Sequence, residues 1–328
     1  MSRISRYQDT VDRFLRTKSC ISKNNIDNIE FIEKNIEKNE HICAVLLLTI
    51  LNSHAKKNNL KIHGYFIACG LDILYSIVDL LNNRTYSEEL YGKDKIKNIC
   101  TEFTACVYKS LAENIDAIKL DMKQHTLKIN LFCFNYLNSK IYDILKYDNL
   151  LSSKKMIKSD ILTLKYKNED AVKNKLKKMF VLDKDIVMKK IETTYGYTCQ
   201  CALVLGSIMG GVNLNDINYD QTKIMIITLE QLGIYLGNML KICRDYDNIE
   251  NDILIANKTT SNIVVNIGLE ESFIIFMESK TLFISGCLSL GIYSNTTKEI
   301  IDLIENKIDK CIVDANIDMK SKYSSFTT

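Results

Sequence analysis

The chain contains no proline in 328 residues, where about 5% is usual. Proline breaks or kinks a helix because it lacks a backbone donor and clashes with the preceding turn. A chain without it can run long helices, and the apolar residues here are spaced for that. Ile62, Phe66, Cys69, Ile73, Ile77 and Leu81 recur at three- and four-residue steps, which gives one helix a wide apolar face. The run from Ile42 to Ser53 is too long and unbroken for a half-buried strand, so it reads as a buried helix. Similar patterns predict helices over Lys95–Glu113, Leu127–Leu145, Lys155–Leu164, Glu169–Phe180, Asp185–Met209, Asp220–Leu254, Asn262–Phe276, Leu282–Ile292 and Thr297–Cys311, with weaker hints at Tyr7–Leu15 and Asp27–Ile36. Between them stand Asn, Asp, Ser and Gly, as in Asn82-Asn83-Arg84 and Gly210-Gly211-Val212-Asn213, which suit caps and loops. Short alternating segments joined by Asn-Gly turns are missing, so no sheet is expected. The fold class is all-α.

Composition narrows the function. With 46% hydrophobic and 25% charged residues the chain can bury a core, and one domain over 1–328 is expected, its core at about 35–315 between a polar N-terminal segment and a frayed tail. The 43 basic and 40 acidic side chains leave a net charge of +3, too little for a field that gathers nucleic acid. The Lys-rich stretch 154–178 is interleaved with Asp160, Glu169 and Asp170 and reads as a solvated face. Eleven cysteines lack any C-x-x-C spacing, and no signal segment opens the chain, so buried thiols in a reducing cytoplasm are expected. No apolar run approaches the roughly 20 residues of a membrane span, and none is expected. His41, His54, His63 and His125 have no ligand spacing. P-loop, dinucleotide and nucleophile motifs are absent. The richness in Lys, Asn and Ile suits an AT-rich genome.

Two segments carry more information. Leu232-Gly233-Ile234-Tyr235-Leu236-Gly237-Asn238-Met239-Leu240-Lys241-Ile242-Cys243-Arg244-Asp245-Tyr246-Asp247-Asn248 resembles the helix bearing the second aspartate-rich motif of trans-isoprenyl diphosphate synthases, F-G-x-x-L-G-x-x-F-Q-I-x-D-D-x-x-D. Gly233, Leu236, Gly237, Ile242 and Asp245 match, while Arg244 and Asn248 stand at the first and third aspartate positions. Upstream, Gly196, Ala202, Leu205 and Gly206 keep the spacing of the family's K-T-G helix and A-x-x-L-G-A segment, with Thr194 at the diphosphate-binding lysine. The first aspartate-rich motif would fall on Ser76-Ile77-Val78-Asp79-Leu80-Leu81-Asn82-Asn83-Arg84, so Leu80, Leu81 and Arg84 hold its ligand positions. The G-G-K-R loop would fall near Glu37–Glu40, without its basic pair. The resemblance spans about 35–275.

The resemblance implies a helical bundle around a central cavity, dimerisation through neighbouring helices, and a cavity wall including Tyr75, Ile77, Leu81, Leu205, Leu236 and Leu240. Family members hold Mg²⁺ between aspartates on two facing helices and the substrate diphosphate, because a hard cation needs oxygen ligands. Here Arg244, Asn248 and Asp252 share one helical stripe whose first position carries a fixed positive charge. The chain therefore reads as a catalytically inactive, isoprenyl-diphosphate-synthase-like protein with a structural, regulatory or partner-binding role. No metal or other cofactor is expected on this reading. Lys241 and Arg244 are candidate anion-binding residues, the cavity is a candidate site for a prenyl or other apolar ligand, and the expected protein partner is a second copy or another chain. The alternative is a divergent Mg-dependent prenyltransferase, making for example geranylgeranyl diphosphate, with Asp72, Asp79, Asp245 and Asp252 as displaced ligands; it requires those four to face one another across a cavity. Arg244 either pairs with Asp247 or Asn248 on a solvated face or works in a pocket. Gly233 and Gly237 read as a close-packing pair.

Overall fold

The computed structural model describes residues 2–20, 40–57, 63–82, 87–88, 91–118, 125–146, 157–211 and 219–314. They form helices α1 (Arg3–Lys18), α2 (Ile42–Lys57), α3 (Tyr65–Asn82), α4 (Lys93–Ile118), α5 (His125–Lys146), α6 (Glu169–Leu176), α7 (Lys184–Ile191), α8 (Tyr197–Met209), α9 (Tyr219–Asp247), α10 (Ile249–Ile255), α11 (Ile263–Ile267), α12 (Leu269–Ser289) and α13 (Asn295–Asp314). No β-strand occurs among the described residues. The weak helical hint at 27–36 lies outside the described residues, and so does the expected frayed tail.

At the centre, α2, α3 and α8 pack on one another, and α9 packs on α8. Helix α4 covers α3, α5 covers α8, α12 and α13 cover α9, and α1 rests across α2, α3 and α13. One core cluster runs through all of them, from Ile4 on α1 to Ile312 on α13. The apolar period explains this arrangement. Every residue of α3 from Ile67 to Leu80 is buried, because α2, α4 and α8 surround it.

Three expected boundaries moved for physical reasons. The run 220–254 breaks at Asn248, whose side chain donates to the Arg244 carbonyl at 2.9 Å and whose own carbonyl accepts Asp252 N at 2.8 Å, starting α10. The run 262–276 breaks at Gly268, where φ is +94°, a conformation that glycine alone adopts cheaply. The expected gap at 277–281 is helical throughout, since its polar Ser279 is buried and accepts a hydrogen bond from Asn238 of α9 at 3.3 Å. The stretch 155–164 is reduced to the single turn Ser159–Leu162 among its described residues. Two helices, α3 and α12, have the length and mean hydropathy of a membrane span, 1.4 and 1.2. Of these, α3 is core, and α12 turns Phe276, Phe283 and Cys287 inward while Leu282 and Leu288 are exposed.

The start of α2 is held by a buried pair. Glu40 and His41 both have positive φ, 52° and 54°, which is strained for residues with a Cβ. His41 Nδ1 lies 2.8 Å from Asp72 Oδ2, and Asp72 Oδ1 accepts Ala44 N at 3.4 Å. Burial pulls the His41 pKa down. The hydrogen bond and charge of Asp72 more than offset this, with Asp12 helping and Arg16 opposing, so the pKa ends above its ordinary value. A folded-state pKa above the unfolded value of about 6.5 stabilises the fold fully below that pH and loses the contribution as pH rises through the raised value. The urea midpoint should therefore fall on the alkaline side of about pH 6.5, and His41→Gln should flatten that part of the profile. A second prediction concerns the α9 crossing. A Cβ at Gly237 would lie 2.5–2.8 Å from the Gly196 and Tyr195 backbone, so Gly237→Ala should cost about 1–3 kcal/mol in urea unfolding.

Candidate functional site

Helices α7 and α8 are one continuous rod interrupted by a π-helical turn, Glu192–Gly196. Such wide turns change the direction in which side chains point. Here the turn buries Thr193, Thr194, Tyr195 and Gly196. Gly233 and Gly237, on one face of α9, allow its backbone to approach: a Cβ on Gly233 would lie 2.5–2.7 Å from Gln200. The close crossing sets Tyr195 between α3 and α9, its ring edge-on to Tyr75 at 5.3 Å.

Across this crossing lies a three-residue link. The Tyr195 hydroxyl donates to Asp79 Oδ1, and Arg244 Nη1 pairs with Asp79 Oδ2. Asp79 is 3% exposed and Tyr195 fully buried, so each carboxylate oxygen has one protein partner. Arg244 does not pair with its own helix face; its guanidinium reaches α3. Burial favours its neutral form, but the Asp79 carboxylate more than offsets this and holds it charged. Burial pushes the Tyr195 hydroxyl far up, so it stays a neutral donor.

The other singled-out carboxylates have separate partners. Asp72 serves His41 and the α2 backbone, as described above. Asp245, 1% exposed, pairs with Lys241 one turn before it and accepts Ile263 N at 2.7 Å. Burial lifts its pKa to about 6 against the pull of the Lys241 charge. Asn262 donates to the Asp245 carbonyl at 2.9 Å and to Asp252 Oδ2 at 2.8 Å, and accepts Val265 N at 3.1 Å. Asp245 and Asp252 are thereby part of the joint connecting α9, α10 and α11. Among the described residues, no three of His, Cys, Asp and Glu gather in a way that could hold a metal ion. The donor set does not fit Mg²⁺, which demands several oxygen ligands in octahedral geometry.

The remaining motif positions add no carboxylate. Leu80 is buried and Leu81 packs partly buried against the core; Arg84 lies outside the described residues. The Thr194 hydroxyl donates to the Lys190 carbonyl of its own helix at 2.6 Å. Asn248 is the boundary between α9 and α10. Lys241, 4% exposed, is engaged with Asp245, with its ammonium 5.7 Å from the Tyr195 ring.

Beside Arg244 opens a cavity of about 580 Å³ between α3, α9 and α13, lined also by Ile42 of α2. Tyr75 and Leu240 lie on its wall as expected. Ile77, Leu205 and Leu236 do not, because neighbouring helices enclose them in the packed core. Its charged side chains are Arg244, Lys307, Lys310 and Asp247. Arg244 is paired with Asp79, and Lys307 with Glu40 at 2.8 Å. Two of the three cations are thus paired with carboxylates, while Lys310 and Asp247 also line the cavity.

Tyr195, His41 and Asn262 were not singled out as site residues by the sequence. Nothing local marks Tyr195, which sits 116 positions from Asp79.

Comparison with solved structures supports the architecture. The chain is similar to a crystal structure described as "a putative farnesyl-diphosphate synthase from Marinomonas sp. MED121", with a TM-score of 0.50, 10% identity, and coverage of 93% of this chain and 97% of that one. At this identity the likeness shows the fold alone, and the fold is an all-α, isoprenoid-synthase-like bundle. No family model matches the sequence, and no curated protein does.

The central link predicts a non-additive pair of substitutions. Arg244→Leu leaves the Asp79 charge buried with only a hydroxyl, and breaking such a pair costs about 3–5 kcal/mol; the lower end applies because Arg244 is 25% exposed. Adding Asp79→Leu should recover much of the loss in a double-mutant cycle by chemical unfolding.

Proposed function

We propose that this chain is a non-catalytic protein built on the isoprenoid-synthase fold, acting by binding a partner. The observation that carries the reading is the Arg244–Asp79–Tyr195 link. In the synthases that the sequence resembles, two facing helices present carboxylates and metal ions neutralise the departing diphosphate. In this chain the fixed guanidinium of Arg244 pairs with Asp79 across α9 and α3, and Arg244 repels any divalent ion brought beside it. Ionising an allylic diphosphate requires charge neutralisation that these residues do not provide.

The expected outcome is therefore binding without metal dependence or no binding at all. Isothermal titration with geranylgeranyl diphosphate, with and without Mg²⁺, should show no magnesium-dependent heat, and incubation with isopentenyl diphosphate should give no elongated product. Magnesium-dependent binding together with chain elongation would overturn the reading.

The surface proposed for the partner is the outer face of α5. Cys133, Leu137, Ile141 and Ile144 of that helix are buried, while Leu131, Phe134, Tyr142 and Leu145 are 60%, 45%, 61% and 41% exposed. At about 100° per residue those four fall within roughly 80° of the circumference, in a stripe about 21 Å long. A stripe on one helix that is apolar except for the exposed Asn138 within it can pack on its own copy about a two-fold axis, the commonest symmetry of soluble oligomers, so the partner proposed is a second copy. Light scattering should find a dimer that Leu131→Glu with Tyr142→Glu converts to monomer. A monomeric parent at micromolar concentration rejects the second copy as partner.

A further inference from the structure

The Lys-rich stretch 154–178 reads in the sequence as balanced by its interleaved acids, and of it residues 157–178 are described. Most of those acids are committed elsewhere. Asp160 Oδ1 accepts Ile161 N at 2.8 Å, and its Oδ2 accepts the N–H of Leu269, the first residue of α12, at 2.7 Å. Glu169 pairs with Lys173 one turn along α6. Glu250 of α10, which packs on α6, accepts the backbone N–H groups of Lys167 and Asn168 at 2.9 and 2.8 Å. Asp170 stays exposed in the first turn of α6, and no acid follows it before Asp183.

Past that point lysines gather at one turn. Lys178 N donates to the Lys175 carbonyl at 2.9 Å and Met179 N to the Leu176 carbonyl at 3.2 Å, which closes a turn at the end of α6. Leu176, Met179 and Val181 are buried and anchor it. Phe180 N donates to the Lys258 carbonyl at 2.8 Å, so a lysine from the α10–α11 connection joins Lys175, Lys177 and Lys178. Lys177, Lys178 and Lys258 are exposed and Lys175 is partly so. None of the four has an ion-pair partner among the described residues. Together they carry +4, more than the +3 of the whole chain, and Phe180 among them is 39% exposed.

We propose that this turn docks the protein on an anionic phospholipid surface, with the four ammonium groups at the headgroups and the Phe180 ring in the interfacial layer. Clustered lysines are drawn to the negative potential of such a surface within a Debye length. Lysine stems lie along apolar matter while their charged ends reach the phosphates. Lysines at a helix C-terminus also favour its dipole. That accounts for Lys173 and Lys175, but neither for Lys258, which belongs to another connection, nor for an aromatic ring left in water. Five residues are far short of the roughly 20–30 per side of a stable protein interface, whereas a lipid surface needs no shaped counterpart. Recognition of a polynucleotide backbone favours the arginine fork, and residues 157–182 contain no arginine.

The test is co-sedimentation of the full chain with vesicles of phosphatidylcholine alone or with about 30% phosphatidylserine, an anionic lipid. The expected result is binding only to the anionic vesicles, weakening as salt rises from about 0.1 to 0.5 M. Each lysine removed should lower the affinity about fivefold, so Lys178→Gln with Lys258→Gln should lower it roughly 25-fold. Phe180→Ser should weaken binding while leaving its salt dependence unchanged. Both variants alter exposed side chains, and circular dichroism verifies that they fold. The exposed Lys93 and Lys95 lie on α4, and Lys93→Gln with Lys95→Gln should bind as the parent does. Equal binding to both vesicle types overturns the proposal, as does parental binding by the Lys178→Gln, Lys258→Gln variant. Retention of a single-stranded oligonucleotide without vesicle binding overturns it in favour of a polynucleotide.

Discussion

Asp79 is a carboxylate placed where water does not reach it, and stripping its hydration costs several kcal/mol unless fixed partners replace the lost water. The partners are the Tyr195 hydroxyl on one oxygen and the Arg244 guanidinium on the other. Bringing them there requires a specific architecture. The π turn must direct Tyr195 toward α3, and α9 must approach that turn closely enough for Arg244 to reach the same carboxylate. Gly237 allows this approach because its missing Cβ leaves room for the Gly196 backbone. A buried charge, a wide helical turn and a glycine contact are therefore one constraint seen from three sides.

In the rest of the site each carboxylate likewise has its own protein partner, charged or neutral. Asp72 is paired with His41, Asp245 with Lys241, and Asp252 with Asn262. A metal centre works in the opposite way, leaving several carboxylates short of cations so that an ion completes them. Here protein groups complete them one by one. In the cavity beside Arg244 two of the three lining cations are likewise paired, and Tyr75, Leu240 and Ile304 give its wall an apolar part.

Surroundings also separate the cysteines, which look alike in the sequence. Burial without donors raises Cys133, Cys201 and Cys287 to about 12. Cys20 is nearly as buried, at 2% exposed, yet hydrogen bonds at the end of α1 reverse the direction. The direction of a thiol's pKa is therefore set by the groups around the sulfur as well as by burial.

The absence of proline and the three- and four-residue apolar spacing were enough to establish an all-α chain and to place most helices, because a 3.6-residue period decides locally which side chains can face a core. The Gly233–Gly237 stripe was legible for the same reason, and so were the positions of Arg244 and Asn248. Helix ends at Asn248 and Gly268 were less so, since one depends on a side chain competing for a backbone carbonyl and the other on a backbone angle hidden inside an apolar run. What Arg244 pairs with, which wall Asp79 faces, where Tyr195 points and how His41 meets Asp72 were decided only by tertiary structure. Each joins residues far apart in the chain, and local spacing constrains the face a residue occupies but not the helix that face meets.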